Sequence, residues 1–306
     1  MKNKGKIIAI VGQTATGKTA FAIKLAKKIK GEIVSADSRQ VYRGLALLSG
    51  QPTKKEMAGI RHHMIGTENP KKVFSVAEFQ QKAYEIIDTI LAQGKVPILV
   101  GGTGLYIDSI IKGTILPEVS PDIPLRKKLE KKSTAELFTL LSKLDHRRAQ
   151  EIDKANPVRL IRAIEIATAL GKVPEQKAYS NYDVFTIGLT LPEKQLRARI
   201  KKRILDRVEK GMLREAAVLH KKGLSYKRLE ALGLECRFAS LYLQKKISRT
   251  EYMQQLEIAT WKYARRQKTW FQKGRAIWIS NENKKTALAK TCKLASDFIR
   301  KSFSVS

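Results

Sequence analysis

Acidic residues are scarce in this 306-residue chain: 28 Asp and Glu stand against 60 Lys and Arg, a formal net charge of +32. Such an excess attracts polyanions and raises encounter rates with them, or it is no more than a Lys-rich surface; it bears on partners and solubility, not on fold. Cysteine is nearly absent. Cys236 and Cys292 are too few for a disulfide framework or a zinc site, and reduced thiols in a cytoplasmic protein are expected. Long apolar runs are missing as well, since no stretch reaches the about 18 uninterrupted apolar residues of a membrane helix. The apolar run at residues 7–11 is too short for the core of a secretory signal. His62 and His63 are adjacent and would face different directions on any regular element, so a shared metal is not expected.

The hydrophobic share is 43%, enough for a substantial core. Residues 6–11 read as a buried strand ended by Gly12. Residues 18–30 read as a helix with Gly31 as its C-cap. A second short strand is expected at 32–35, a helix at 74–93 stopped by Gly94, and a third strand at 96–100 ended by Gly101 and Gly102. Strands alternating with helices at this spacing predict a parallel sheet. After Gly113 only helical patches appear (125–132, 135–144, 158–170), followed by a loop at 171–182. Strand character returns at 184–191, helices at 193–222 and 249–272, and a last strand at 276–279. The expected fold class is α/β: a P-loop NTPase-like parallel sheet core with a mainly helical insertion or lid domain. Residues 1–113 form the first part of the core, 114–182 the insertion, and 183–306 the rest of the core with basic C-terminal helices.

One motif carries explicit chemistry. Gly12, Gln13, Thr14, Ala15, Thr16, Gly17, Lys18 and Thr19 fit G-x-x-x-x-G-K-[ST] at every defined position. In such a loop backbone N–H groups point at phosphate oxygens, the lysine adds charge to the outer phosphates, and the Thr19 hydroxyl can ligate Mg²⁺. The commonest occupant is ATP, but the loop itself says phosphate and not which reaction. Ligands of open α/β sheets sit beyond the carboxyl ends of the strands. Asp37 follows the second strand. It is placed to accept a proton from a nucleophile, to cap a helix, or to stand behind a bound Mg²⁺. The third strand runs into Gly101, Gly102, Thr103 and Gly104, which imply either close approach of backbone to a ligand or a tight structural turn.

Around these residues the chain resembles a known family. The segments IVSADSRQVYRG, PTKKEMAGIRHHMI, FSVAEFQQKA and PILVGGTGLYI, and later NPVRLIRAIE and YARRQKTWF, are similar in order and spacing to the tRNA dimethylallyltransferases of the IPP transferase family. That family moves the dimethylallyl group of its diphosphate onto N6 of an adenosine next to the tRNA anticodon. The resemblance implies that Gly12 to Thr19 hold the prenyl diphosphate rather than ATP, with Mg²⁺ on Thr19. It implies that Asp37 is the general base and that Asp37, Ser38, Arg39 and Gln40 contact the RNA. Thr103 would touch the reacting nucleotide. Arg126, Val158, Arg159, Leu160, Ile161 and Arg162 would bind tRNA. Arg237 is the expected arginine for the leaving diphosphate, with Arg266 as second candidate. A cytoplasmic monomer of bacterial type acting on a tRNA anticodon stem-loop is implied; a small-molecule kinase or an adenylate prenyltransferase is the alternative use of such a loop. The chain departs from the family at Gln13, usually proline, at residues 48–52, and at Gly233-Leu234-Glu235-Cys236, where Gly-Tyr-Arg-Gln is usual.

The chemistry agrees. An exocyclic adenine amine is a poor nucleophile and gains from a nearby carboxylate. A departing diphosphate gains from cations and N–H groups. Water must be excluded from an allylic centre, and a stacked base must be extruded to reach a buried site. Residues 197–246 hold 15 Lys and Arg against 5 Asp and Glu, a net 15 − 5 = +10, which reads as a solvated face or a phosphate-backbone track. Trp261, Tyr263, Trp270 and Phe271 fall at helical spacing and read mainly as core.

Overall fold

The computed structural model describes residues 5–175 and 179–300. Six strands form one wholly parallel sheet: β1 (Lys6–Gly12), β2 (Gly31–Ser35), β3 (His62–His63), β4 (Val96–Val100), β5 (Asp183–Thr190) and β6 (Ile277–Ser280), in the order β3-β2-β4-β1-β5-β6. β1 lies between β4 and β5, with Ile10 opposite both Val100 and Ile187. Its alternation sorts the core. Ile7, Ala9 and Val11 face one buried cluster while Ile8 and Ile10 face another, as expected for a parallel sheet covered on both sides.

The helices in chain order are α1 (Lys18–Ile29), α2 (Ala46–Ser49), α3 (Lys54–Met57), α4 (Val76–Ala92), α5 (Gly104–Ile111), α6 (Ile123–Leu129), α7 (Thr134–Leu144), α8 (His146–Glu151), α9 (Pro157–Leu170), α10 (Glu193–Glu209), α11 (Met212–Lys221), α12 (Tyr226–Ala231), α13 (Leu234–Leu243), α14 (Arg249–Gln272) and α15 (Lys284–Arg300). Phe21, Leu25 and Ala26 of α1 pack with Ala287 and Ala295 of α15 on the Ile8 face. Phe79 and Ile87 of α4, Ile107 of α5, and Leu256 and Ala264 of α14 cover the Ile7 face. Several boundaries are written in capping boxes: Ser75 with Glu78, Ser133 with Glu136, and Ser248 with Glu251 each exchange two hydrogen bonds.

The contacts divide the chain into two compact units, residues 1–113 with 180–306, and residues 114–179. Tyr182 therefore belongs to the larger unit rather than to the insertion: it is buried in the Ile7-side cluster and its hydroxyl donates to Asp88 Oδ1 at 2.8 Å. The smaller unit is α6 to α9 around its own core of Leu129, Leu137, Leu141, Leu160 and Ile164. Other expectations also shift. The left-handed residue ending α1 is Lys30 (φ 51°), and Gly31 instead begins β2. A Cβ on Gly31 would come within 2.8 Å of Ile98 Cδ1, so glycine there serves close strand packing. The helix expected at 193–222 breaks at Gly211 (φ 100°) into α10 and α11. The two histidines form the short edge strand β3, with His63 Nε2 2.7 Å from Glu32 Oε2. Part of the loop expected at 171–182 lies outside the described residues.

Candidate active site

The loops leaving β1, β2 and β4 meet at one end of the sheet. Close backbone approach is enforced at Gly101, where a Cβ would lie 2.1 Å from Ala36 O. Ala36 N donates to Val100 O at 2.8 Å, so the Asp37 turn and the Thr103 turn are stitched together at their roots. Across that seam Ser38 N donates to Thr103 Oγ1 at 3.1 Å. Asp37 Oδ1 accepts from Arg39 N (2.9 Å) and Gln40 N (3.3 Å). These two bonds use one carboxylate oxygen and leave Oδ2 uncommitted among the described residues.

The P-loop is fixed from several elements. Thr16 is fully buried and its hydroxyl donates to Gln13 O at 2.8 Å. Asn281, just after β6, donates from Nδ2 to Thr16 O at 2.7 Å. Gln267 of α14 bridges two loops: Oε1 accepts from Thr14 N (2.7 Å) and Nε2 donates to Gly102 O (2.9 Å). Lys18 Nζ donates to Gly12 O (2.9 Å) and Gln13 O (2.8 Å). Burial pushes its pKa down to about 7, the positive charge of Arg203 adds to that, and Asp37 opposes it. Thr19, in the first turn of α1, has a hydroxyl that makes no hydrogen bond among the described residues.

Arg203 of α10 reaches this loop, and Arg199 of the same helix lies beside Gly17. Arg203 Nη2 donates to Thr14 Oγ1 at 2.7 Å. Burial, and next the charge of Arg207, lower its pKa to about 10. Arg207 is itself 7% exposed and pairs with Glu235 Oε1 at 3.2 Å. Arg203 Nε and Arg207 Nη2 are buried without a partner. Neither residue stands out in the basic run, although one signal was there. Leu196, Ile200 and Ile204 mark the buried stripe of α10, and Arg207 falls on it at the next helical step. On α14, Tyr263 donates to Gly102 O at 3.4 Å, and burial, with Asp37 next, raises its pKa to about 12.

The family model described as IPP transferase matches residues 40–274. The chain is 41% identical over 279 residues to tRNA dimethylallyltransferase 2 of Treponema denticola, covering 89% of this chain and 93% of that one. The chain belongs to the IPP transferase family. Among solved structures, the full-length tRNA isopentenylpyrophosphate transferase from Bacillus halodurans matches with a TM-score of 0.74 at 33% identity, over 97% of both chains. A eukaryotic dimethylallyltransferase structure shares the fold with a TM-score of 0.84 at 24% identity, over 96% of this chain and 79% of that one.

Within this family member the expected residues separate. Asp37, Ser38, Arg39, Gln40 and Thr103 lie on the turns after β2 and β4, at the same end of the sheet as the P-loop. Arg237 and Arg266 are both exposed, and Arg266 lies over the Tyr263 ring at 5.8 Å. In the smaller unit Leu160, expected to bind tRNA, has its side chain buried in that unit's core. Arg126 and Arg162 are committed to Glu165, at 2.6 Å and 3.3 Å. Val158, 75% exposed, and Arg159 point to solvent from the first turn of α9, and Ile161 is half-buried. Of the four aromatics on α14 expected to be core, only Phe271 is fully buried. Trp261 lies under the Arg197 guanidinium at 4.0 Å, and Trp270 is 37% exposed against Gly104.

Proposed function

We propose that the chain transfers the dimethylallyl group of dimethylallyl diphosphate to N6 of an adenosine next to a tRNA anticodon, releasing diphosphate. It would act as a cytoplasmic monomer. The observation that carries the reading is the pairing of Asp37 with a cationic phosphate cradle: its charge acts on Lys18, Arg203 and Tyr263 alike. The adenine nitrogen attacks the allylic carbon, the carbon–oxygen bond breaks, and its electron pair leaves on the diphosphate. The N6 proton passes to Oδ2 of Asp37. Thr103, tied to Ser38, orients the base. Arg203, rather than Arg237, joins Lys18 and the loop N–H groups on the diphosphate, where charge grows as the bond breaks. Among the described residues no group of three acidic, histidine or cysteine side chains forms a metal cage. The free Thr19 hydroxyl fits the sparse protein coordination of Mg²⁺, which is completed by phosphate oxygens. Bound there, the ion would supply further charge neutralisation to the leaving group. Val158 and Arg159, exposed in the first turn of α9, are residues of the smaller unit that would meet RNA.

The test is nucleoside mass spectrometry of an anticodon stem-loop RNA incubated with the protein, dimethylallyl diphosphate and Mg²⁺. N6-dimethylallyladenosine is expected. Asp37→Asn should lower single-turnover transfer by about 10²–10⁴-fold while RNA retention on a filter stays unchanged. No product from folded wild-type protein would sink the reading.

A further inference from the structure

Helix α2 is only four residues long, too short to hold itself by its own hydrogen bonds. Charged side chains hold it instead, one of them, Arg207, buried. Leu47 N and Leu48 N donate to Glu215 Oε2 and Oε1 of α11, at 2.9 and 2.8 Å. Leu47 O accepts from Arg207 Nε of α10. Arg207 is braced by Glu235 of α13 and lies beneath Gly50, whose added Cβ would sit 3.5 Å from the guanidinium carbon. Three helices thus converge on residues 45–50.

That segment is wired to the Asp37 turn. Gly50 O accepts from Gln40 Nε2 at 3.0 Å. Gln51 Nε2 donates to Gln40 O and Tyr42 O, each at 2.8 Å. Gln40 Oε1 accepts from Ser35 Oγ at 3.1 Å, and Gln40 N donates to the Asp37 carboxylate. Displacing α2 therefore pulls on one of the two residues whose amides hold Asp37 Oδ1.

We propose that Arg207 and Glu215 are positioning residues for transfer, acting through α2 and Gln40 to aim Asp37. The inference rests on the reading of Asp37 as the proton acceptor. A conventional stability brace would need no such concentration of charge, because apolar packing of equal volume is commonly as stable.

The experiment is single-turnover transfer to the stem-loop RNA by Glu215→Gln, Arg207→Met and Arg207→Lys, each in the wild-type and the Asp37→Asn background. Competition by inorganic diphosphate is measured alongside. With Asp37 present, Glu215→Gln and Arg207→Met should slow transfer at least tenfold, with diphosphate affinity kept within twofold in Glu215→Gln. Arg207→Lys, which keeps a cation for Leu47 O, should recover most of the rate. With Asn at position 37 the same substitutions should cost less than twofold, since the group they aim is gone. Amide exchange at residues 39–42 should quicken in Glu215→Gln, a readout that needs no turnover. Wild-type rates in the two variants, or an equal loss in both backgrounds, would overturn the proposal while leaving the transfer reading intact. Absence of product from the unsubstituted chain would overturn both.

Discussion

The two units hold arginine in opposite ways. In the smaller unit Arg126 and Arg162 converge on Glu165, whose side chain has no exposure. Arg126 grips it through Nε and Nη2 at 2.6 and 2.7 Å, Asp122 N adds a bond at 2.9 Å, and the spare Nη2 of Arg162 goes to Val119 O at 2.8 Å. Burial pushes the Glu165 carboxyl up, but the bonds from Arg126 and the Asp122 amide outweigh it and hold the group ionised. That knot is closed. In the larger unit Lys18, Arg203 and Arg207 crowd together with Glu235 as the bonded acid, two guanidinium nitrogens lack partners, and burial depresses the pKa of Lys18 and Arg203. The same residue types give a finished structural joint in one place and an unfinished charge cluster in the other. Unfinished cationic clusters are where an anion gains most on arrival.

Neutralising each cluster should separate function from stability. Arg203→Met should cut kcat/KM for transfer by about 10²–10³-fold, the scale for removing one donor from a developing anion. The thermal midpoint should hold or rise, because a like-charge contact is gone; a matching fall in stability would break the contrast. Glu165→Leu should do the reverse, destabilising the smaller unit by about 3 kcal/mol in urea titration because two arginines lose their partner. Arg126→Met and Arg162→Met added to it should restore most of that loss.

A smaller effect belongs to Lys18. Its pKa in the empty site is about 7, and a bound diphosphate raises it, so binding takes up a proton above that pH. Affinity for dimethylallyl diphosphate is then fully present below pH 7 as far as this group goes. It should weaken by up to about tenfold per pH unit on the way to pH 9. Isothermal titration in buffers of different ionisation heat reads the proton directly, and Lys18→Met should abolish the uptake. The smallest effect is expected at the edge of the smaller unit: Arg159→Ala should weaken RNA retention several-fold and lower the salt slope by about one, with stability unmoved.

Much of this was legible beforehand for definite reasons. The strand runs of β1 and β4 are β-branched stretches closed by glycine, and α14 is bounded by its Ser248–Glu251 capping box. The P-loop is a local motif, so its cradle could be placed without tertiary knowledge. β3 was not legible, because two paired residues carry no period. Helices α12 and α13 are short, six and ten residues, and glycine at 233 hides their junction. The inward turn of Arg203 was hidden for another reason: in a run of cations, local composition is the same whether one side chain meets water or Thr14. Arg237 was expected at the diphosphate from motif position alone, and it is exposed in the first turn of α13.

The strand order has a consequence for how the chain is made. β1 is synthesised first but waits for β4 and then β5, with Gly12 opposite Leu189. The loop it feeds waits longer still, since Thr16 O is held by Asn281. The four helices of the smaller unit, by contrast, are one unbroken stretch of chain, rich in local contacts that form early. On the ribosome the phosphate loop thus emerges well before the residues that complete it, and a nascent chain stalled before residue 281 would carry that loop without its final clasp.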